Sequence, residues 1–186
     1  MKKTILILCV IFFTAAFIQA QNAAGIRTII NHYAARNFLP LPVSQSDLDQ
    51  IIRAGVNAPS ARNAQPWHFT IVQNAELARR IISGVTDGNV LIVISAAGDS
   101  RTNIPEILDC ALAAQSIYLA AQALGLGSRI YTAPVAAVNR DLKNALSLPR
   151  DHSVVVIVRI GRVEQVDAAS AASSRKAPDS IVTYKK

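Results

Sequence analysis

The sequence predicts an α+β domain, and three observations lead there. Val90 to Ser95 and Val154 to Ile160 are nearly continuous β-branched and aliphatic runs, the pattern of central strands covered on both faces. Trp67, Phe69 and Ile71 alternate with His68 and Thr70, the period of a half-buried strand. Between the longer runs Pro105 opens, and Gly125 closes, a long alanine-rich helix.

The elements follow in order. Residues 1–20 have the form of a signal peptide: Lys2-Lys3, then an apolar run from Ile5 to Ile18 too short to span a bilayer comfortably, then Ala20 at the expected cleavage point. Export to a periplasm or to the medium follows, with no stable membrane span once the peptide is cleaved. Residues 22–186 then form a single domain. Ala23 to Asn37 reads as a helix with Ile26, Ile29, Ile30 and Tyr33 on one face. Ser44 caps a second helix running through Gly55, with Asp47 in the capping-box position. Residues 58–66 form a polar turn leading into the strand at Trp67. In the Pro105–Gly125 helix the apolar residues go almost all the way round, which predicts burial; its alanines admit a close helix neighbour, within the subunit or across a dimer. Asp109, Gln115, Ser116 and Gln122 argue against a membrane span there. A further helix, Val135 to Leu146, precedes the last strand, and an Ala- and Ser-rich tail from Gln165 to Ser174 leads into an extended C-terminal arm.

Charge and cysteine content narrow the function classes. Losing Lys2 and Lys3 takes the formal charge from +7 to +5, and no block of consecutive cations exceeds two. That speaks against nucleic acid and allows a small anionic ligand. Cys110 is the one cysteine beyond the signal segment, so no intrachain disulfide forms, and its apolar neighbours mark an inert thiol. His32, His68 and His152 show no metal-ligand spacing. Ser60 lacks a nucleophile-elbow context. Gly125-Leu126-Gly127-Ser128 follows a helix and not a strand, so a helix C-cap explains it better than a dinucleotide loop.

What remains is the stretch Ala58-Pro59-Ser60-Ala61-Arg62-Asn63-Ala64-Gln65-Pro66-Trp67. Its prolines fix φ, and Ser60 and Asn63 can turn the chain through side-chain bonds. Such a curve is expected to present backbone N–H groups to a flat, acceptor-rich ligand, unless it is a mere connector. With the turn at 125–128 and the cations Arg36, Arg175 and Lys176, it suits a ligand with a planar heteroaromatic head and a terminal phosphate.

In motif order the chain resembles the FMN-dependent nitroreductase family. The resemblance is borne by Arg36-Asn37-Phe38, Pro42-Val43-Ser44, Ala58 to Trp67, Asp109 through Leu124-Gly125-Leu126-Gly127-Ser128, Ile160-Gly161, and Arg175-Lys176-Ala177-Pro178. It implies a three-layer α/β/α fold with a mixed, largely antiparallel sheet, in a homodimer whose chains exchange terminal segments and bind FMN at their interface. By motif position Arg36, Arg175 and Lys176 hold the phosphate, and Pro59, Ser60, Ala61, Asn63 and Gln65 line the ring from the partner subunit. The backbone near Thr132 and Ala133 faces the reactive flavin nitrogen. No side chain is catalytic and no metal is implied, because the flavin does the chemistry: NAD(P)H or another donor reduces it, and a nitro compound, quinone or similar acceptor reoxidises it in ping-pong order. The family's R-R-S reads His32-Tyr33-Ala34 here. That departure implies the alternative, a catalytically impaired flavin- or ligand-binding protein of the same fold.

Overall fold

The computed structural model describes residues 25–98, 104–164 and 173–185. The signal-peptide reading of residues 1–20 and most of the 165–174 tail lie outside the described residues. Helix α1 covers residues 25–31, α2 Gln45–Val56, α3 Ala75–Ile81, α4 Ile104–Ala123 and α5 Val135–Asp141. The strands are β1 (His68–Val72), β2 (Val90–Ala97), β3 (Gly127–Tyr131) and β4 (His152–Gly161).

The strands form one sheet in the order β1-β2-β4-β3 with every pairing antiparallel. The two apolar runs are its central strands, and β2 is buried along nearly its whole length. Its residues divide by parity: Ile92 and Ile94 join Leu48 and Ile51 of α2 and Cys110, Ala114, Ile117 and Tyr118 of α4 in one core. Leu91 and Val93 join Ala78 and Ile81 of α3 and Val138 of α5 in the other. Three layers result, helices on both faces of the sheet. A bulge between Ile94 and Ser95 pairs Ser95 with Val154, leaving Val155 over, so Val154 lies in the second core while Val156 lies in the first.

Ser44 caps α2 as predicted, its Oγ accepting from the Asp47 N–H at 3.1 Å. The reciprocal half of the box is absent, since the Asp47 carboxylate pairs with Arg162 at 3.2 Å. Gly55 lets α2 press on α4: a Cβ there would meet Ile117 at 2.7 Å.

Four expectations change. The first helix stops at residue 31, and residues 32–39 run extended, because Ala35 N–H donates to Ser128 O (3.0 Å) and Leu39 N–H to Arg162 O (2.8 Å). Edge pairing outbids a helix that solvent alone would support. Helix α4 is buried on its Asp109, Cys110, Ala113, Ile117 and Ala121 face, but Ile104, Leu108 and Leu112 are exposed along the opposite stripe. Gly125 does cap α4, with φ +75° and Leu126 N–H closing back on Ala121 O at 2.9 Å; Gly127-Ser128 already begin β3, a strand too short and polar to show a pattern. Helix α5 ends at Asp141 and continues only as turns, and α3, unforeseen, is capped by Asn74, whose side chain accepts from Leu77 N–H at 2.8 Å.

Gly88 holds the extended entry segment in place. It has φ +77°, and a Cβ would lie 2.5 and 2.6 Å from the backbone C and O of Leu41. Neither atom can yield, so Gly88→Ala is expected to destabilise by at least ~2 kcal/mol. A thermal melt should show Tm lower by about 4–8 °C.

Candidate functional site

Two built regions coincide with the predicted site residues. The first is the turn before β1. Arg62, Asn63 and Gln65 all have positive φ (54°, 58° and 46°), a conformation costing non-glycine residues on the order of 1–3 kcal/mol each, asparagine least. The turn is held by the Ser60 hydroxyl, which accepts from Gln65 N–H at 3.1 Å, and by Asn63 N–H to Ser60 O and Ala64 N–H to Ala61 O. A buried carboxylate anchors it from below: Ala61 N–H donates to Asp109 Oδ1 and Oδ2 at 3.1 and 3.3 Å. The expected row of outward N–H groups is therefore corrected. Those of Ala61, Asn63, Ala64 and Gln65 are spent inside the turn, which offers solvent its exposed side chains instead.

The second region is a cavity of about 600 Å³ beside the edge of the sheet at β3, walled by Tyr33, Ala34, Ala35, Arg36, Phe38 and Ser173 among others. Gln122 of α4 sets the path of this wall. Its Oε1 accepts from Tyr33 N–H at 3.2 Å and its Nε2 donates to Tyr33 O at 2.8 Å, so one side chain satisfies both backbone groups of Tyr33. The same Nε2 donates to Ser128 Oγ, which donates to Tyr118 O. His32 Nδ1 lies 3.2 Å from Tyr118 Oη with the rings edge to face. Arg175 is near enough to Tyr118 to favour its anion, although burial dominates and raises the phenol pKa.

Farther along the wall the chain crosses the β3 edge and lays Phe38 over the sheet. Gly127 and Gly161 are cross-strand partners, and a Cβ on either would meet Phe38, at 3.3 and 2.8 Å. Both glycines are required for that contact. Arg159, on the same face as Gly161, stacks its guanidinium 4.0 Å from the centre of the Phe38 ring.

The structure thus brings Arg36 and Ser173, two residues before Arg175, to one cavity. It does not bring Pro59, Ser60, Ala61, Asn63 or Gln65 to that cavity within one chain. Their anchor, Asp109, and the cavity's anchor, Gln122, are thirteen residues apart on α4, about 20 Å along the helix axis. Thr132 and Ala133 are exposed just past β3, with Val135 N–H closing on Thr132 O. Ala35 pairs at Ser128, so Thr132 lies four residues farther along the strand, about 13 Å. Lys176 is exposed on the C-terminal arm. Asp109 and Gln122 stand out in the sequence as polar interruptions of an apolar helix, Asp109 also opening one of the family-like stretches; in a buried helix that polarity is the signal that each has a partner.

The chain matches the model of the nitroreductase family over residues 29–89 and 83–162. It belongs to that family. The family is one of FMN-dependent oxidoreductases, and this member is an enzyme of that type. It is 28% identical over 167 residues to a protein of Archaeoglobus fulgidus named NADH dehydrogenase/NAD(P)H nitroreductase, covering 84% of this chain and 95% of the relative. Among solved structures it superposes on a nitroreductase with bound FMN from Desulfitobacterium hafniense, with TM-score 0.73 and 21% identity, covering 88% of this chain and 98% of the other. An NADPH:FMN oxidoreductase of Vibrio harveyi complexed with NAD⁺ gives TM-score 0.74 and 20% identity, covering 88% and 77%.

Cys110 plays no part in this nitroreductase site. Burial, then the Asp109 and Glu106 carboxylates, push its thiol up to about 12. The folded protein should resist thiol reagents at pH 8 and react on unfolding. With the folded pKa above the unfolded value near 8.5, the unfolded state loses its proton first, so Cys110 should reduce stability as pH rises from about 9 toward 12; Cys110→Ala should lessen that slope in melts across the range. Removing the turn's anchor with Asp109→Ala should cost about 1–3 kcal/mol, and amide exchange at residues 59–66 should accelerate more than elsewhere.

Proposed function

We propose that this nitroreductase binds FMN in the cavity beside Arg36 and uses it to pass electrons from NAD(P)H, or another donor, to nitro compounds, quinones or similar electron-poor acceptors. The observation that supports this most is a cavity of about 600 Å³, in the size range of cofactor pockets, whose wall holds one cation, Arg36, one carboxylate, Glu164, and two aromatic residues, Tyr33 and Phe38. The residues present suit a phosphorylated planar group: Arg36 in the wall, Arg175 near Tyr118, and apolar surface from Ala35 and Phe38 between. When bound, FMN supplies the hydride and electron chemistry. The protein's part is to bind, orient and exclude water. Arg36, Arg175 and Lys176 neutralise the phosphate; Pro59, Ser60, Ala61, Asn63 and Gln65 border the ring; a backbone N–H near Thr132 and Ala133 donates toward it. Donor and acceptor use the same open face in turn, which gives ping-pong kinetics.

The site is shared between two copies in this reading. The turn and the cavity share no wall residue, and about 20 Å of α4 lies between their anchors. A second subunit resolves the mismatch by bringing its turn to the first subunit's cavity. Apolar surface for such a dimer exists: Ile26, Ile29 and Ile30 of α1, the stripe Ile104, Leu108 and Leu112 of α4, and Ile181, Val182 and Tyr184 of the arm are all exposed. Exchange of the arms between subunits and export by residues 1–20 belong to the same proposal.

His32-Tyr33-Ala34 favours the second reading, a binding protein impaired in catalysis. Tyr33 is committed to Gln122 through its backbone, and His32 to Tyr118. Titration of FMN, followed by reduction with NADPH and reoxidation by a quinone, separates the two. The expected result is a dimer in light scattering that quenches FMN fluorescence and completes the redox cycle, with Arg36→Ala weakening FMN on the order of tenfold. Binding without turnover supports the second reading, and absence of binding overturns both.

A further inference from the structure

Arg159 is a buried cation that the reading above does not use. It is 5% exposed, and its guanidinium donates Nε to Asn89 Oδ1 at 2.8 Å, Nη1 to Gly84 O at 3.0 Å and Nη2 to Thr86 Oγ1 at 3.1 Å, with the Tyr131 hydroxyl as a further hydrogen-bond partner, all neutral groups. No carboxylate lies within ion-pair range of it among the described residues. Its cross-strand partner is a second cation, Arg129. A hydrophobic side chain would fill this place without the desolvation penalty of an unpaired charge, so a structural role alone is an expensive use of arginine. Burial lowers its pKa, partly offset by Tyr131, which marks how little solvent compensates the charge.

Phe38 connects this charge to the cavity. Phe38 stacks on the guanidinium at 4.0 Å and lines the cavity that holds Arg36. An anion in contact with Phe38 across the ring would sit roughly 8 Å from the charge, within about one Debye length and with little water between. Field effects of that range survive where the intervening material is protein.

We infer that Arg159 is a positioning charge for the cofactor phosphate that adds, behind the cations contacting it, to the enzyme's preference for FMN over unphosphorylated riboflavin. The inference rests on the flavin reading proposed above. Arg159 does not touch the ligand. It raises the potential behind Phe38, so only the phosphorylated flavin gains.

Riboflavin carries the same ring without the phosphate, so paired titrations by fluorescence quenching distinguish charge from shape. Two variants remove the net charge differently. Arg159→Gln deletes it; Asn89→Asp keeps the arginine and sets a carboxylate against its Nε, which should also preserve the fold if the first variant does not. Each should weaken FMN on the order of tenfold while changing riboflavin less than about twofold. Arg159→Lys should restore most of the difference, and added salt should narrow the wild-type preference. Equal loss of both flavins, or unchanged FMN binding in Asn89→Asp, overturns the inference and leaves the flavin reading standing. Wild-type protein that quenches neither flavin overturns the flavin reading and this inference with it.

Discussion

Because β2 and β4 pair from Val90↔Ile160 to Ala97↔His152 with both faces covered, every other element takes its place from that ladder. Each buried Val, Leu or Ile contributes about 1.5–3 kcal/mol, and these two strands hold most of the large ones. A strand of this kind has no solvent face, so helices must come to both sides. The parity of β2 decides which helix sees which residue. At Val155 the bulge changes that parity once, so the two ends of β4 present opposite residues to the same helix layer.

The two candidate regions lie where the ladder ends and packing no longer dictates the chain. At the Gly161 end two facing glycines leave a bare patch, and Phe38 occupies it. At the His68 end the chain enters β1 through a strained turn whose shape is supplied by one carboxylate. In both places a polar residue of α4 reaches out of an apolar helix to bind backbone: Asp109 to Ala61, Gln122 to Tyr33. Buried polar groups persist where they are matched, and these two are matched to the site's own chain segments.

Legibility followed burial. The central strands were plain in Val90–Ser95 and Val154–Ile160 because two-sided burial permits only apolar residues. Helix α2 was plain because Ser44 and its amphipathic face agree. Strand β3 was hidden, since Gly127 and Ser128 serve contacts with Phe38 and Ala35 that are long-range in sequence. The end of α1 was hidden for a related reason: Ile29, Ile30 and Tyr33 keep helical spacing, yet Ala35 and Leu39 gain more by pairing with Ser128 and Arg162. The candidate residues stood out by type, as Arg36, the turn at 58–66 and Arg175, whereas the residues that shape the segments carrying them did not. Asp109, Gln122 and Arg159 each act through a partner at least 48 residues away, and no local pattern announces such a pairing.

The strained turn gives the last step. Three positive-φ residues cost several kcal/mol together, while the Ser60 side-chain bond and the two backbone bonds within the turn return about 1 each and the Asp109 contact about 1.5–3. The sum is close to balance, so the turn's shape is not a by-product of stability; it is maintained at nearly no net gain. Its residues from Ala61 to Gln65 are exposed, so the held shape is presented to solvent. The cavity beside Arg36 is the second shaped feature: its wall follows the path set by Gln122 and the β3 edge, and among the described residues none of the turn lines it. In the two-copy site proposed above, the pre-shaped polar turn of one chain meets the cavity wall of the other.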